Sequence, residues 1–523
     1  MSVNQVDNTK KYGLIIISVI AFIIILRLIL TLWWIYSKAD GIFMLYGDSC
    51  SRSMTGYLWS KTSLLKSFPH GQTWLPLHFF LLAMVFKFIP DLINVPPMLS
   101  LFFWSGIIIC IYRITKRLFN IEGNSIIALF ACIIVSFYPW YFNQHENNWF
   151  FFLSISGMSD PIFHFLILFG TMFFLDYIHT EKNKYLLFSS LVFLVSTTIR
   201  YETWGIVGVI SLILLFKFIK TFKSQPDIYI PLCILIMCEF MPIWLYEQHI
   251  SRGDPLQFVK WTFEFANTEL SFLKRIIFYP FLLFKVDSPI AIISILGMFF
   301  VLIKKINFKI IFNYLIVTFG YIFLLICMAA FFGPVGSINR PVALVFLMFI
   351  PFCSYAIFIA IKTVFNHKFT RVALLVISII LIFSNIIALN KIENYYGFPA
   401  ISTIDTGRRI SHLYKSGILS DEDNILLELK QGPEMAWDYN ALMMFAPDNL
   451  FFDRWDTINM AGLLKIDSNP SIFDTKNSRF TKLCKKYNIK YIIFTSENNR
   501  KKRQGYVETI YKNEDYELCL FVN

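Results

Sequence analysis

The sequence predicts an α-helical polytopic membrane protein of about 11 transmembrane helices, with a small C-terminal α/β domain outside the bilayer. Hydrophobic residues make up 56% of the 523, charged residues only 16%, and mean hydropathy is +0.58, more apolar surface than a soluble fold can bury. Apolar runs approaching bilayer length recur as far as Leu389; beyond it charges are spread throughout and the apolar runs become short. The formal charge of +12 would suggest nucleic acid in a soluble protein. Here the basic residues fall between apolar runs, where they report topology, so nucleic acid is not expected as a partner.

The expected spans are residues 12–36, 98–112, 125–142, 158–178, 185–199, 204–222, 228–246, 289–303, 310–332, 341–361 and 372–389. The first follows Lys10 and Lys11 and has no clear small-residue cleavage site, so it reads as a retained signal anchor. Residues 75–88 are apolar but short and carry His78 and Lys87, as a re-entrant or interfacial helix does. If that piece does not cross, the basic clusters at Lys10/Lys11, Arg113/Lys116/Arg117, Lys182/Lys184, Lys217/Lys220/Lys223, Lys304/Lys305/Lys309 and Lys362/Lys368/Arg371 all fall on the cytoplasmic side. The N-terminus is then cytoplasmic, and the C-terminal domain is exterior, periplasmic or lumenal. Residues 1–390 form the membrane domain, 37–97 its first exterior loop, and 391–523 the soluble domain.

The exterior loops hold the candidate chemistry. The first mixes Asp48, Arg52, His70, Gln72 and His78 with Tyr57, Trp59 and Trp74, a combination suited to a sugar. Glu146 beside His145, the Arg200-Tyr201-Glu202 junction and Arg340 after Gly333-Pro334 lie on the same side. The long loop 247–288 contains an amphipathic stretch, 258–273, suited to the interface or to a solvated loop. In the C-terminal domain residues 424–429, 490–495 and 516–522 read as strands, and 403–415 and 478–487 as helices. The nine cysteines show no metal-ligand spacing, and only Cys484 and Cys519 are placed to form an exterior disulfide.

A first span followed at once by a loop with a single Asp48 and then Trp74-Leu75-Pro76-Leu77-His78 resembles the C-type membrane glycosyltransferases. These use polyprenyl-phosphate sugars and include the protein O-mannosyltransferases and lipid A aminoarabinose transferases. Gly157-Met158-Ser159-Asp160-Pro161 opening a span, Ile199-Arg200-Tyr201-Glu202-Thr203-Trp204, and Arg340 entering a late span extend the likeness. The resemblance implies an inverting transferase moving a sugar from a polyprenyl-phosphate donor to a glycan, lipid or protein acceptor, with membrane lipids around it. It implies Asp48 as general base, which must take the acceptor's proton. Glu146 is a second carboxylate, able to orient the acceptor, bind a metal or simply be a polar loop residue.

Arginines suit a departing phosphate, with Arg340 first and Arg200 and Arg52 next. Trp74, His78, His70, Asp160 and Glu202 complete the candidate substrate site. Each has a structural alternative: Asp48 as a helix cap, Arg340 as a snorkelling anchor, Arg200 with Glu202 as a structural pair, Asp160-Pro161 as a helix start, Trp74 as an interfacial anchor, and the histidines as satisfied structural groups. No metal ligand is assigned; the first loop lacks an Asp-x-Asp, unlike oligosaccharyltransferase catalytic subunits, so a divalent metal is optional. Ala436-Trp437-Asp438-Tyr439-Asn440 departs at both ends from the Trp-Trp-Asp-Tyr-Gly signature of those subunits, and no acceptor-reading role is carried over. Two rival functions are a transporter or lipid-linked-glycan flippase and a noncatalytic subunit of the same fold. A transporter predicts internal repeats and ionisable groups at mid-membrane, and the sequence shows no repeat.

Overall fold

The computed structural model describes residues 3–38, 47–61, 75–121, 123–138, 149–222, 227–256, 269–334, 340–365, 367–391, 401–420, 422–428, 442, 444–446, 448, 450–452, 473 and 476–522. The chain begins with α1 (Val3–Lys38), α2 (Gly47–Lys61), α3 (Leu77–Phe86), α4 (Val95–Leu118), α5 (Asn124–Phe137), α6 (Trp149–Ser154), α7 (Asp160–Thr180), α8 (Asn183–Thr197) and α9 (Glu202–Thr221). It continues through α10 (Tyr229–Cys238), α11 (Phe240–Arg252), α12 (Phe272–Ile303), α13 (Phe308–Phe332), α14 (Arg340–Val364) and α15 (His367–Asn390).

Among the described residues nine segments are long and apolar enough to cross a membrane: α1, α4, α7, α9, α10 with α11, α12, α13, α14 and α15. The other two expected spans are α5 and α8, of 14 and 15 residues, which turn back on α4 and α7 through short connections and pack against them. α3 has ten residues, too few to cross. The two most buried spans, α7 and α14, have 78% and 72% of their apolar windows inside the protein, whereas α1 has 17% and is peripheral.

One end of the bundle gathers basic residues: Arg117 binds Asp176, Lys217 donates to the Tyr177 hydroxyl at 3.0 Å, and Lys309 meets Glu181 at 2.7 Å. The expected cytoplasmic clusters around 113–117, 182, 217 and 309 therefore share one end. α12 departs from expectation. The sequence marks 247–288 as loop, but a helix runs from Phe272 and breaks only at Asp287 (φ −154°, ψ 84°). There Asp287 Oδ1 accepts the Ile290 amide at 3.1 Å and the Tyr138 hydroxyl at 3.3 Å, capping the second half where the span was expected to start. Gly297 lets that half close on α14, since a Cβ there would lie 2.2 Å from the Phe352 carbonyl oxygen.

After α15 come α16 (Ile401–Lys415), β1 (Asn424–Leu427), β2 (Leu450–Phe452), α17 (Asn477–Lys486), β3 (Ile489–Phe494), α18 (Glu497–Lys502), β4 (Val507–Lys512) and β5 (Glu517–Phe521). The sheet order is β2-β1-β3-β5-β4, with β1 parallel to β2 and β3, and β5 antiparallel to β3 and β4. This mixed α/β layer matches the expected strands and helices and adds β2 and β4. It docks on the membrane domain through one apolar cluster joining Cys50, Met54 and Tyr57 of α2 to Ile404 and Ile410 of α16 and Ile425 of β1. The Tyr57 hydroxyl donates to Asp448 at 2.6 Å across the same seam. The expected Cys484–Cys519 disulfide does not form: both thiols are free and buried in one apolar cluster, and burial pushes the Cys484 thiol up to about 12. They pack as small hydrophobes.

Candidate active site

The turn that leads into α7 is built from small polar residues. Gly157 takes a left-handed conformation (φ +66°), its amide donates to Ser100 Oγ at 3.1 Å, and the Ser156 hydroxyl accepts the Met158 amide at 3.2 Å. A Cβ on Gly157 would lie 2.6 Å from Ser49 Oγ and 2.8 Å from Pro96 Cβ, so the start of α2 rests directly on this turn. Gly157→Ala is therefore expected to cost about 1–3 kcal/mol, from backbone strain and the Ser49 clash together, read as a lower thermal unfolding midpoint.

The turn delivers Asp160, 1% exposed, with Pro161 in the first helical turn. Both carboxylate oxygens are occupied. Oδ1 accepts from Arg200 Nη1 at 2.8 Å and Arg340 Nε at 3.1 Å; Oδ2 accepts from Arg340 Nη2 at 2.7 Å. Arg200, from the α8–α9 junction, also binds Glu202 through Nε at 3.2 Å to each oxygen and through Nη2. Two carboxylates and two guanidiniums make a charge-balanced cluster tying together α7, α9 and α14. Burial works against the Arg200 charge, but Asp160 and Glu202 outweigh it and raise its pKa above the ordinary arginine value. The arginine side chains keep 17% and 16% exposure, while Asp160 keeps 1%.

Arg52 and His78 stand next to this cluster. Arg52 of α2 is buried, its guanidinium carbon 5.7 Å from the centroid of the Phe79 ring. His78 of α3 is buried; burial first, and then the Arg52 charge, push its imidazole well below the usual histidine range, while Asp160 opposes them. Its Nδ1 has no hydrogen-bond partner among the described residues. Two groups escaped the sequence reading. His164, one turn after Asp160 on α7 and 0% exposed, has neither ring nitrogen partnered among the described residues; its signal was the i, i+4 spacing from Asp160. Arg27 is the other, a lone charge inside the first apolar run.

Of the expected site residues, Asp160, Arg200, Glu202 and Arg340 are in direct contact, with Arg52 and His78 nearby. Asp48 is the second residue of α2, next to the Ser49 that lies on Gly157; its side chain lies outside the described residues. Glu146, His70 and Trp74 lie outside the described residues, as do most of 258–273 and the Trp437-Asp438-Tyr439 stretch. Among the described residues no three His, Cys, Asp or Glu side chains are grouped to hold a metal ion.

No family model and no curated protein matches the chain. Its structure is similar to that of ArnT from Cupriavidus metallidurans bound to undecaprenyl phosphate, with a TM-score of 0.63, 10% identity, and coverage of 96% of this chain and 97% of that one. The apo state of the same ArnT gives a TM-score of 0.59 at 12% identity, covering 98% of each chain. The apo Archaeoglobus fulgidus oligosaccharyltransferase gives a TM-score of 0.55 at 11% identity, covering 92% of this chain and 69% of that one. The chain thus has the fold shared by ArnT and this oligosaccharyltransferase.

Proposed function

We propose that the protein is an integral-membrane glycosyltransferase that moves a sugar from a polyprenyl-phosphate donor to a glycan, lipid or protein acceptor on the non-cytoplasmic face. The observation that carries this reading is the Asp160–Arg200–Arg340–Glu202 cluster, built on the buried Asp160, at the end of the bundle on which α2, with Asp48, closes. In the proposed reaction the acceptor's hydroxyl or amine attacks the anomeric carbon and its proton passes to the Asp48 carboxylate. The bond from that carbon to the phosphate oxygen breaks, and the phosphate leaves with the electron pair. Charge developing on the phosphate is met by guanidiniums already fixed in place: Arg340 and Arg200, aimed by Asp160 and Glu202, and Arg52. His78 would face the sugar as a neutral imidazole, and Glu146, His70 and Trp74 would complete the acceptor and sugar contacts.

Asp160 is a positioning residue in this scheme. A divalent cation there would have to displace two guanidiniums, so the donor set does not fit one at Asp160 and no step is assigned to a metal. A second reading, a lipid-linked-glycan flippase, is favoured by one observation: α12 is broken at the buried Asp287.

Binding of undecaprenyl phosphate to the purified full-length protein tests the donor half of the proposal. The wild type should bind saturably, and Arg340→Gln, which keeps a donor but not the charge, should weaken binding at least about ten-fold, the scale of a charge-assisted hydrogen bond. Equal affinity in the two proteins would remove Arg340 from the donor site.

A further inference from the structure

Between Gly13 and Ser37 the first span carries one charged residue, Arg27. α1 has the smallest buried share of the spans, yet Arg27 is only 4% exposed, turned inward against α6. Its Nη2 donates to Ser154 Oγ at 3.0 Å, and its guanidinium carbon lies 4.3 Å from the centroid of the Phe151 ring. Among the described residues it has no carboxylate partner, and its Nε has no hydrogen-bond partner. An arginine buried within an apolar span, with no carboxylate partner among the described residues, is costly and leans towards a functional role.

What Arg27 touches indicates that role. Ser154 passes the contact on, its hydroxyl donating to the Phe151 carbonyl at 2.6 Å. Trp34, two turns further along α1, packs on Phe151 and Phe152 with ring centroids 5.4 Å away in each case. α6 is thus anchored to α1 at residues 151, 152 and 154. The chain then turns through Ser156 and Gly157, where Ser100 of α4 takes the Gly157 amide, and reaches Asp160 only six residues after Ser154. A six-residue helix has little stability of its own, so its placement depends on these contacts together with those it makes to α4 and α7.

We propose that Arg27 is a positioning residue: through Ser154 and Phe151 it fixes the segment that delivers Asp160, and so sets where Arg200 and Arg340 present their guanidiniums. The consequence for donor binding rests on the function proposed above; the positioning itself does not.

The test uses the full-length protein in micelles with Arg27→Met, which keeps length and burial but removes the charge and the donors, and Arg27→Lys, which keeps the charge. Hydrogen–deuterium exchange at the amides of 153–160 should accelerate about ten-fold in R27M, with the far end of α7 unchanged. The unfolding midpoint should hold or rise, because a buried charge with no carboxylate partner among the described residues has been removed. Undecaprenyl phosphate should bind about ten-fold more weakly to R27M, and R27K should recover most of both the protection and the affinity. Unchanged exchange at 153–160 in R27M would overturn the proposal. A drop in the unfolding midpoint in both variants, with faster exchange along all of α1, would also overturn it, since Arg27 would then be an ordinary packing residue. Failure of the wild type to bind undecaprenyl phosphate would count against the donor reading, while the exchange result still decides Arg27.

Discussion

Asp160→Asn is expected to destabilise the protein by about 3–5 kcal/mol, because breaking a buried ion pair from one side leaves its partner charged and uncompensated. Here two guanidiniums lose a charged partner at once. Arg340 bonds both carboxylate oxygens of Asp160, and Arg200 divides its guanidinium between Asp160 and Glu202. The asparagine amide makes matters worse by presenting N–H donors where the guanidiniums present theirs. The double substitution Asp160→Asn with Arg340→Met should recover at least about half of that loss, since residues in one salt-bridge network are strongly coupled. Unfolding of the full-length protein, followed for wild type, both single variants and the double, gives the coupling directly; additive losses would mean the cluster is not a unit.

Asp48→Asn should lower turnover by about 10²–10⁴-fold, the usual worth of a positioned general base, while undecaprenyl phosphate binding stays within about two-fold. Asparagine preserves the shape of the side chain but takes no proton. If Asp48 serves only to cap α2, the outcome differs: turnover persists and stability falls by about 1 kcal/mol. Measuring the rate and the unfolding midpoint on the same preparation separates the two. The location supports the base, because the residue after Asp48 lies against Gly157, three positions before Asp160.

The membrane architecture was legible because bilayer thickness imposes a length on apolar runs and topology imposes a place on basic residues. Arg117, Lys217 and Lys309 meet at one end of the bundle, as their spacing between spans implied. The N-terminal half of α12 was lost because Asp287-Ser288-Pro289 has the composition of a helix start, and it is one: Asp287 caps the second half of a helix that had already begun. β4 was missed because an exposed edge strand, Val507–Lys512, lacks the apolar content that marked its neighbours. In the site, residue types were readable but pairings were not. Asp160 and Arg340 are 180 positions apart, and nothing local in either motif names the other. The alternatives considered for Arg200 with Glu202 and for Asp160-Pro161 as a helix start both describe what is there; neither could show that one carboxylate would hold two arginines. Arg27 was passed over, although a single arginine amid apolar residues was itself a signal.

The most direct measurement is sugar release or transfer by the purified full-length protein from a panel of radiolabelled polyprenyl-phosphate sugars, run beside the same protein in liposomes with donor placed in one leaflet. A glycosyltransferase cleaves the sugar–phosphate bond of at least one donor, saturably, and free polyprenyl phosphate appears with the transferred sugar. Movement of intact donor between leaflets with no bond cleaved for any member of the panel would contradict the account and make the protein a flippase.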